Sequence, residues 1–398
     1  MTQLTSEQRE AQEWGREFAT RFIAPIALEL DRDPDSPARD ALIKEAAGVG
    51  LLGMALPAEL GGQGLDAVST MLVSEELAAA CSGCAVLIGA TALGLSPILL
   101  SFDFEAIQRF VVPLTASWPT GEPQLSALAA TEPEMGSDFI GGHPGARART
   151  RAERVDGGFV VNGTKIFISN GSLASLVTVF ASLDPSGPIR ENCICLAVPT
   201  DTDGFSVGQV FDKMGQRACP AAELVFDDVF LPEENCIGQP GSGWLINRAV
   251  MSVSRTPVGA IALGIARAAY DHALDYAEAR IQGGRPIVGH QAMQLMLADM
   301  ATRVEAARGL VLESAHSTQM GQPSLKLASM AKTFASDAAV ANALDAIQIM
   351  GGHGYMRDHG VEKLLRDAKL TQIYEGTNQI NRFEIVEGIL SERCPKAD

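Results

Sequence analysis

Positive charge is scarce in this chain: 31 Lys and Arg stand against 48 Asp and Glu, giving a formal charge of −17 and a pI near 4.8. Such a surface has no general attraction for phosphate backbones or anionic membranes, so neither nucleic acid nor membrane is expected as a partner. Six scattered His and an odd count of seven Cys leave little for a metal. A CxxC (Cys81, Cys84) and a CxC (Cys193, Cys195) have no second Cys pair at finger spacing, so no metal is expected and the thiols read as free and mostly buried. There is no GxxxxGK, no GxSxG and no GxGxxG opening a helix after a strand, which argues against P-loop, nucleophile-elbow and standard Rossmann chemistry. The N-terminus, MTQLTSEQREAQEWGREF, has no basic stretch followed by an apolar one, and a cytoplasmic location is the expectation.

One long stretch lacks charge altogether. Leu77 to Phe102 is long enough to span a bilayer, but it holds three glycines and Pro97, and its flanks carry Glu75, Glu76, Asp103 and Glu105 with no Lys or Arg. A buried helix pair is the expected form.

What is present is core-forming sequence. With 46% hydrophobic and 20% charged residues in 398, the chain suits two or three packed domains. Residues 1–123 are rich in Ala, Leu and Glu and read as helices with loops. Residues 124–237 change period: GFVVNGTKIFISN, LVTVFASL, CICLAVP, FSVGQVF and AELVFDDVFLP are short runs separated by Gly, Asp, Asn and Pro, and predict a β domain of five to eight strands. Asn162-Gly163 inside the first of these predicts a hairpin turn.

Residues 238–398 return to helical spacing. Met293, Leu297, Met300, Val304, Ala307 and Val311 form one apolar stripe, read as core rather than a cofactor surface, and helical stretches of over twenty residues lie on both sides of it. The expected architecture is α+β and multidomain: an N-terminal all-α domain, a central β-barrel-like domain and a C-terminal four-helix bundle.

Four glycine- and hydroxyl-rich clusters remain: LAATEPEMGSD (128–138), NGTKIFISNG (162–171), QIMGGHGY (348–355) and YEGTNQINR (374–382). The last sets a lone carboxylate, Glu375, between Tyr374 and Gly376. With LPAELGGQGL, KMGQRACPAAELVFDDVFLP, RIQGGRPIVGHQ and LLRDAK, these segments resemble the acyl-CoA dehydrogenase family of flavoenzymes, in its order and along nearly the whole chain.

The resemblance implies FAD held without a Rossmann fold between the β domain and the bundle, and FAD-dependent α,β-dehydrogenation of an acyl-CoA thioester. Leu128, Ala130, Thr131, Gly136 and Ser137 match the strand and loop that bond the flavin. Phe167 and Ser169 match residues against its ring, Phe167 standing where Trp is frequent. Arg280, His290, Gln291, Gln348, Gly351 and Gly352 match positions that hold the pyrophosphate and adenosine of FAD on a neighbouring subunit, and Thr377 and Gln379 match further flavin contacts. Gly283 departs from the usual Phe. Ser137, Arg255, Tyr374 and Gly376 match substrate positions.

Glu375 matches the base that removes the α-proton while the β-hydride goes to flavin N5. Some branches of the family carry that base at the position of Ser254 instead. Electron-transfer flavoprotein as acceptor and a homotetramer arranged as a dimer of dimers are also implied. The same motifs would serve an acyl-carrier-protein-linked acyl dehydrogenase or an oxygen-reducing acyl-CoA oxidase. The Cys84 to Leu100 run, free of Lys and Arg, predicts a preference for neutral acyl chains if it lines the pocket.

Overall fold

A computed structural model describes residues 4–393. Helix α1 (Ser6–Phe18) starts at a capping box, in which the Thr5 hydroxyl accepts from the Gln8 amide and the Gln8 side chain accepts from the Thr5 amide. Helix α2 (Ala67–Leu100) starts at Asp66, whose carboxylate accepts from the Ser69 amide at 2.6 Å. Its backbone leaves helical geometry at Cys81 (φ −164°, ψ 111°), which divides α2 into two helical pieces, and nearly all of the uncharged run lies in the second of them as one helix, not the expected pair. In its most apolar window 67% of the residues are buried inside the fold, which makes α2 a core helix.

Eight strands follow: β1 (Ser126–Ala129), β2 (Arg151–Val155), β3 (Gly158–Ser169), β4 (Leu176–Ser182), β5 (Cys193–Pro199), β6 (Phe205–Val210), β7 (Ala221–Pro232) and β8 (Cys236–Ile237). They pair in the order β6-β7-β3-β2-β4-β5-β8, with β1 parallel to β4. One residue pair, Arg151 with Ser182, joins β2 to β4. The sheet therefore folds there into two halves, and Phe159, Val161, Leu224 and Val229 of one share a core with Val177, Val179, Ile194 and Leu196 of the other. That shared core makes the domain barrel-like.

The expected hairpin at Asn162-Gly163 is not formed, since both residues lie inside β3. The turn falls at Asp156-Gly157, where Gly157 takes φ +78° and Val155 pairs with Gly158. Asn162 and Gly163 instead sit at an irregularity in the β3–β7 pairing. There the Asn162 side chain exchanges hydrogen bonds with the Asp228 amide and carboxylate, at 3.0 and 2.9 Å. Gly163 (φ +148°) passes so near Thr150 that an added Cβ would lie 2.5 Å from its Cα.

The C-terminal helices are α3 (Gly243–Ala279), α4 (Gln291–Gln319), α5 (Leu325–Met350), α6 (Val361–Thr371) and α7 (Asn378–Arg393). Alanines at 260, 262, 266 and 269 of α3 and at 331, 335, 339 and 343 of α5 are all buried, and so small a seam lets the two backbones come close. An added Cβ at Gly259 would be 3.4 Å from the Lys332 backbone nitrogen. The apolar stripe of α4 is core from Leu297 to Val311, while Met293 is only partly buried. Two buried α2 carboxylates tie the N-terminal helices to the bundle: Glu75 pairs with Arg308 at 2.7 Å and Glu76 with Arg267 at 2.8 Å.

Candidate active site

Glu375 occupies the turn between α6 and α7, and it takes φ +53° with Gly376 at φ +83°. Two successive left-handed residues, one of them not glycine, persist only when the surroundings hold them. The Glu375 carbonyl accepts from Arg255 Nε at 3.1 Å. The Gly376 carbonyl accepts from Lys332 Nζ and from Asn381 Nδ2, each at 2.8 Å. Arg255 (α3), Lys332 (α5) and Asn381 (α7) are fully buried, so three bundle helices clamp the turn from inside.

The carboxylate itself is half-buried and accepts from the Ser254 hydroxyl at 2.8 Å. Burial pushes the Glu375 carboxyl above its ordinary value, against the opposing pulls of Ser254, Arg255 and Lys332. Tyr374, beside it, lies 3.4 Å from Gln216 Nε2 through its hydroxyl, and burial raises its phenol too.

Arg255 does not fit its expected place at substrate. It is completely buried, with Nε on the Glu375 carbonyl, Nη1 on Ser329 Oγ at 2.8 Å and Nη2 4.0 Å from the Glu384 carboxylate, so it holds the Glu375 turn from inside instead of lining the cleft. Gly376 is likewise buried, and an added Cβ there would meet Ile140 at 3.1 Å and Arg255 at 3.2 Å. Ser137 and Tyr374 keep part of their surface open.

Ile140 belongs to the short helical turn Ser137–Ile140 that follows Gly136, so its contact brings the β-domain loop onto the Glu375 turn. Leu128 lies in β1, with Ala130 and Thr131 just beyond it; the Thr131 carbonyl accepts from the Ile166 amide at 2.9 Å. Thr131 Cγ2 is 3.9 Å from where a Cβ on Gly136 would stand. Lys165, fully buried, donates to the Ala130 carbonyl (3.0 Å) and to the equally buried Glu132 (2.8 Å), fixing this loop from below. The β3–β7 pairing slips between Lys165 and Ile168, and Phe167 there takes φ +60°. A bulge re-aims a side chain. Phe167 is accordingly 58% exposed, an open aromatic face packed on one side by Phe211 at 4.8 Å. Ser169 closes β3, half-buried. Thr377 lies immediately before α7 and accepts weakly from the Ile380 amide, while Gln379 is exposed on that helix.

A second cluster lies at the far end of α5. A cavity of about 560 Å³ is lined by Arg280, His290, Gln348, Gly351 and Gly352, together with Met293 and Tyr276. Gln291, expected with them, is exposed at the start of α4 and does not line it. Among the described residues the Arg280 guanidinium has no hydrogen-bond or ion-pair partner, and a Cβ on Gly351 or Gly352 would meet nothing within 4 Å. A free guanidinium beside open backbone fits a pyrophosphate. Gly283 has a local cause: with Gly284 it forms the two-residue turn of the hairpin Ile281–Gln282 and Arg285–Pro286, at φ +60° and +79°, where a phenylalanine would be strained.

Sequence reasoning missed Lys332, Asn381, Lys165 and Glu132. Lys332, Lys165 and Glu132 act through tertiary contact, while Asn381 bonds carbonyls four and five residues before it; Lys165, Glu132 and Asn381 all stood inside quoted clusters.

This architecture and these clusters agree with known proteins. Family models described as the N-terminal, middle and C-terminal domains of acyl-CoA dehydrogenase match residues 5–117, 127–229 and 241–390. An acyl-CoA dehydrogenase of Bacillus subtilis (strain 168) is 42% identical over 388 residues, covering 97% of this chain and 99% of that protein. The butyryl-CoA dehydrogenase structure from Megasphaera elsdenii superposes with TM-score 0.90 at 35% identity, covering 98% of this chain and 100% of that one. A chain in a structure described as the electron transferring flavoprotein of Acidaminococcus fermentans gives TM-score 0.90 at 36% identity, covering 98% and 99%. The chain belongs to the acyl-CoA dehydrogenase family; it is an enzyme of that class, and its cofactor is FAD.

Proposed function

We propose that the protein oxidises an acyl-CoA thioester to the trans-2-enoyl-CoA, with Glu375 taking the α-proton. The observation that carries this reading is Glu375 itself, a carboxylate whose proton affinity is raised by burial, fixed where the bundle meets the β-domain loop. Bound FAD supplies the acceptor for the β-hydride.

The protein's own residues do the rest. Desolvation makes the ionised Glu375 a stronger base, and Ser254, Arg255 and Lys332 restrain that shift. Arg255, Lys332 and Asn381 hold its backbone, so the carboxylate needs little reorganisation before proton transfer. Thr131, Gly136, Ser137, Phe167 and Ser169 would hold the flavin ring, and Arg280, Gln348, Gly351 and Gly352 the pyrophosphate end.

Those two sets are far apart in one chain. Lys332 and Gln348 lie sixteen residues apart on α5, which at 1.5 Å per residue is about 24 Å. That separation supports FAD shared between copies in a homotetramer. The likeness to the chain described with the electron transferring flavoprotein supports such a flavoprotein as electron acceptor.

The test is anaerobic mixing of the yellow holoenzyme with straight and branched acyl-CoAs, with the same acyl groups on a carrier protein as a second arm. Bleaching by a neutral acyl-CoA supports the reading. Bleaching by the carrier-linked acyl group alone would move the substrate to the carrier protein, and no bleaching by any thioester would overturn the reaction class.

A further inference from the structure

Lys332 sits on α5 with no exposed surface, and among the described residues its ammonium donates to two oxygens only, the Gly376 carbonyl (2.8 Å) and Asn378 Oδ1 (2.9 Å). Neither is charged. A buried ammonium without a bonded carboxylate is costly, and this one is spent on the second carbonyl of a turn whose first carbonyl takes Arg255. We propose that Lys332 is a positioning residue for the base, its charged form locking the left-handed Glu375–Gly376 turn so that the carboxylate faces the cleft beside Ser254. This rests on Glu375 being the base.

The surroundings make the lock sensitive to pH. Arg255 of α3 and Arg382 of α7 repel the ammonium, and Glu375 and Asp337 attract it. Burial dominates and pushes Lys332 down to about 7. Below that pH the ammonium clamps the turn and its charge favours ionised Glu375; above it the clamp loses its charge-assisted bonds. Flavin reduction then has a rising limb as Glu375 ionises and a falling limb as Lys332 loses its proton.

The experiment is stopped-flow reduction of the holoenzyme by a saturating acyl-CoA from pH 5.5 to 9, for wild type, Lys332→Gln, Lys332→Arg and Asp337→Asn. Thioester affinity and FAD content are measured beside it. Lys332→Gln is expected to slow reduction at least tenfold at pH 6 and to abolish the falling limb, with thioester affinity within threefold. Lys332→Arg should shift the limb upward. Asp337→Asn removes an attracting charge at the rim of the site and should shift it downward, a readout that survives if the Lys332 variants do not fold. A falling limb unmoved in Asp337→Asn, or a Lys332→Gln enzyme with the wild-type profile, overturns the inference. Glu375→Gln run in parallel separates the two claims: loss of reduction there, with Lys332→Gln unaffected, leaves the reaction intact and removes only the lock.

Discussion

The Ser254 hydroxyl donates a 2.8 Å hydrogen bond to Glu375 Oε2, from a residue 121 positions earlier in the chain. One point in the cleft is thus reached from α3 and from the α6–α7 turn. A carboxylate carried at position 254 would therefore reach the same point as Glu375.

Ser254→Ala removes a donor that holds the Glu375 carboxyl down against burial. A carboxyl raised further ionises later, so the rising limb of flavin reduction against pH moves upward, while the rate on the alkaline side of that limb stays close to wild type. An unmoved limb in single-turnover profiles would show that the bond carries no weight.

Glu132→Gln leaves the Lys165 ammonium buried without its counter-charge and is expected to cost roughly 3–5 kcal/mol in urea unfolding. Lys165 and the Arg149 amide hold the Glu132 carboxyl below its ordinary value despite burial, whereas burial outweighs Glu132 in lowering Lys165. The pair is read as ionised because both partners are bonded. A depressed carboxyl stabilises the fold above its unfolded pKa, and that part is lost as pH falls through the folded value. Glu132→Leu with Lys165→Met should lack this acid-sensitive part.

Gly163→Ala places a Cβ 2.5 Å from the Thr150 backbone at φ +148° and should destabilise the protein by about 3 kcal/mol, with the β domain affected first in hydrogen exchange. A melting temperature equal to wild type would show that β2 and β3 can separate freely there.

The same glycine marks where reading the sequence stopped short. Short apolar runs bounded by Gly, Asp, Asn and Pro announced the strands Gly158–Ser169 and Leu176–Ser182, and the α4 stripe announced its buried face. Asn162-Gly163 has hairpin chemistry, but tertiary packing used it for a close crossing and a side-chain exchange with Asp228. Ser126–Ala129 and Arg151–Val155 are four and five residues long and carry too little periodicity to stand out. Glu375 was legible through its motif. Its clamp was not, because Lys332 looks like any helix lysine until α5 is packed against α7, and because nothing local shows Arg255 to be fully buried.

Arg280→Ala removes an unpaired guanidinium from the 560 Å³ cavity. FAD affinity should fall by about 10- to 100-fold in calorimetry, as expected for a charge-assisted contact. At saturating FAD the reduction rate should stay near wild type, since the residue is remote from Glu375. Unchanged FAD affinity would remove this cavity from the cofactor site.

The central claim is that Glu375 is the base, and stopped-flow reduction of Glu375→Gln holoenzyme by the best acyl-CoA tests it most directly. Gln keeps the shape and can still accept from Ser254, but it cannot take a proton. FAD and thioester should bind as in wild type, with reduction slowed by at least about 10²- to 10⁴-fold, roughly 3–5 kcal/mol of barrier. A carboxyl raised by burial supports the fold below its unfolded pKa and loses that contribution as pH rises through the folded value, so Glu375→Gln should be as stable as wild type or more so at pH 8. Restored reduction in Ser254→Glu, Glu375→Gln would place the base at the shared point in the cleft. A Glu375→Gln rate within threefold of wild type would contradict the account.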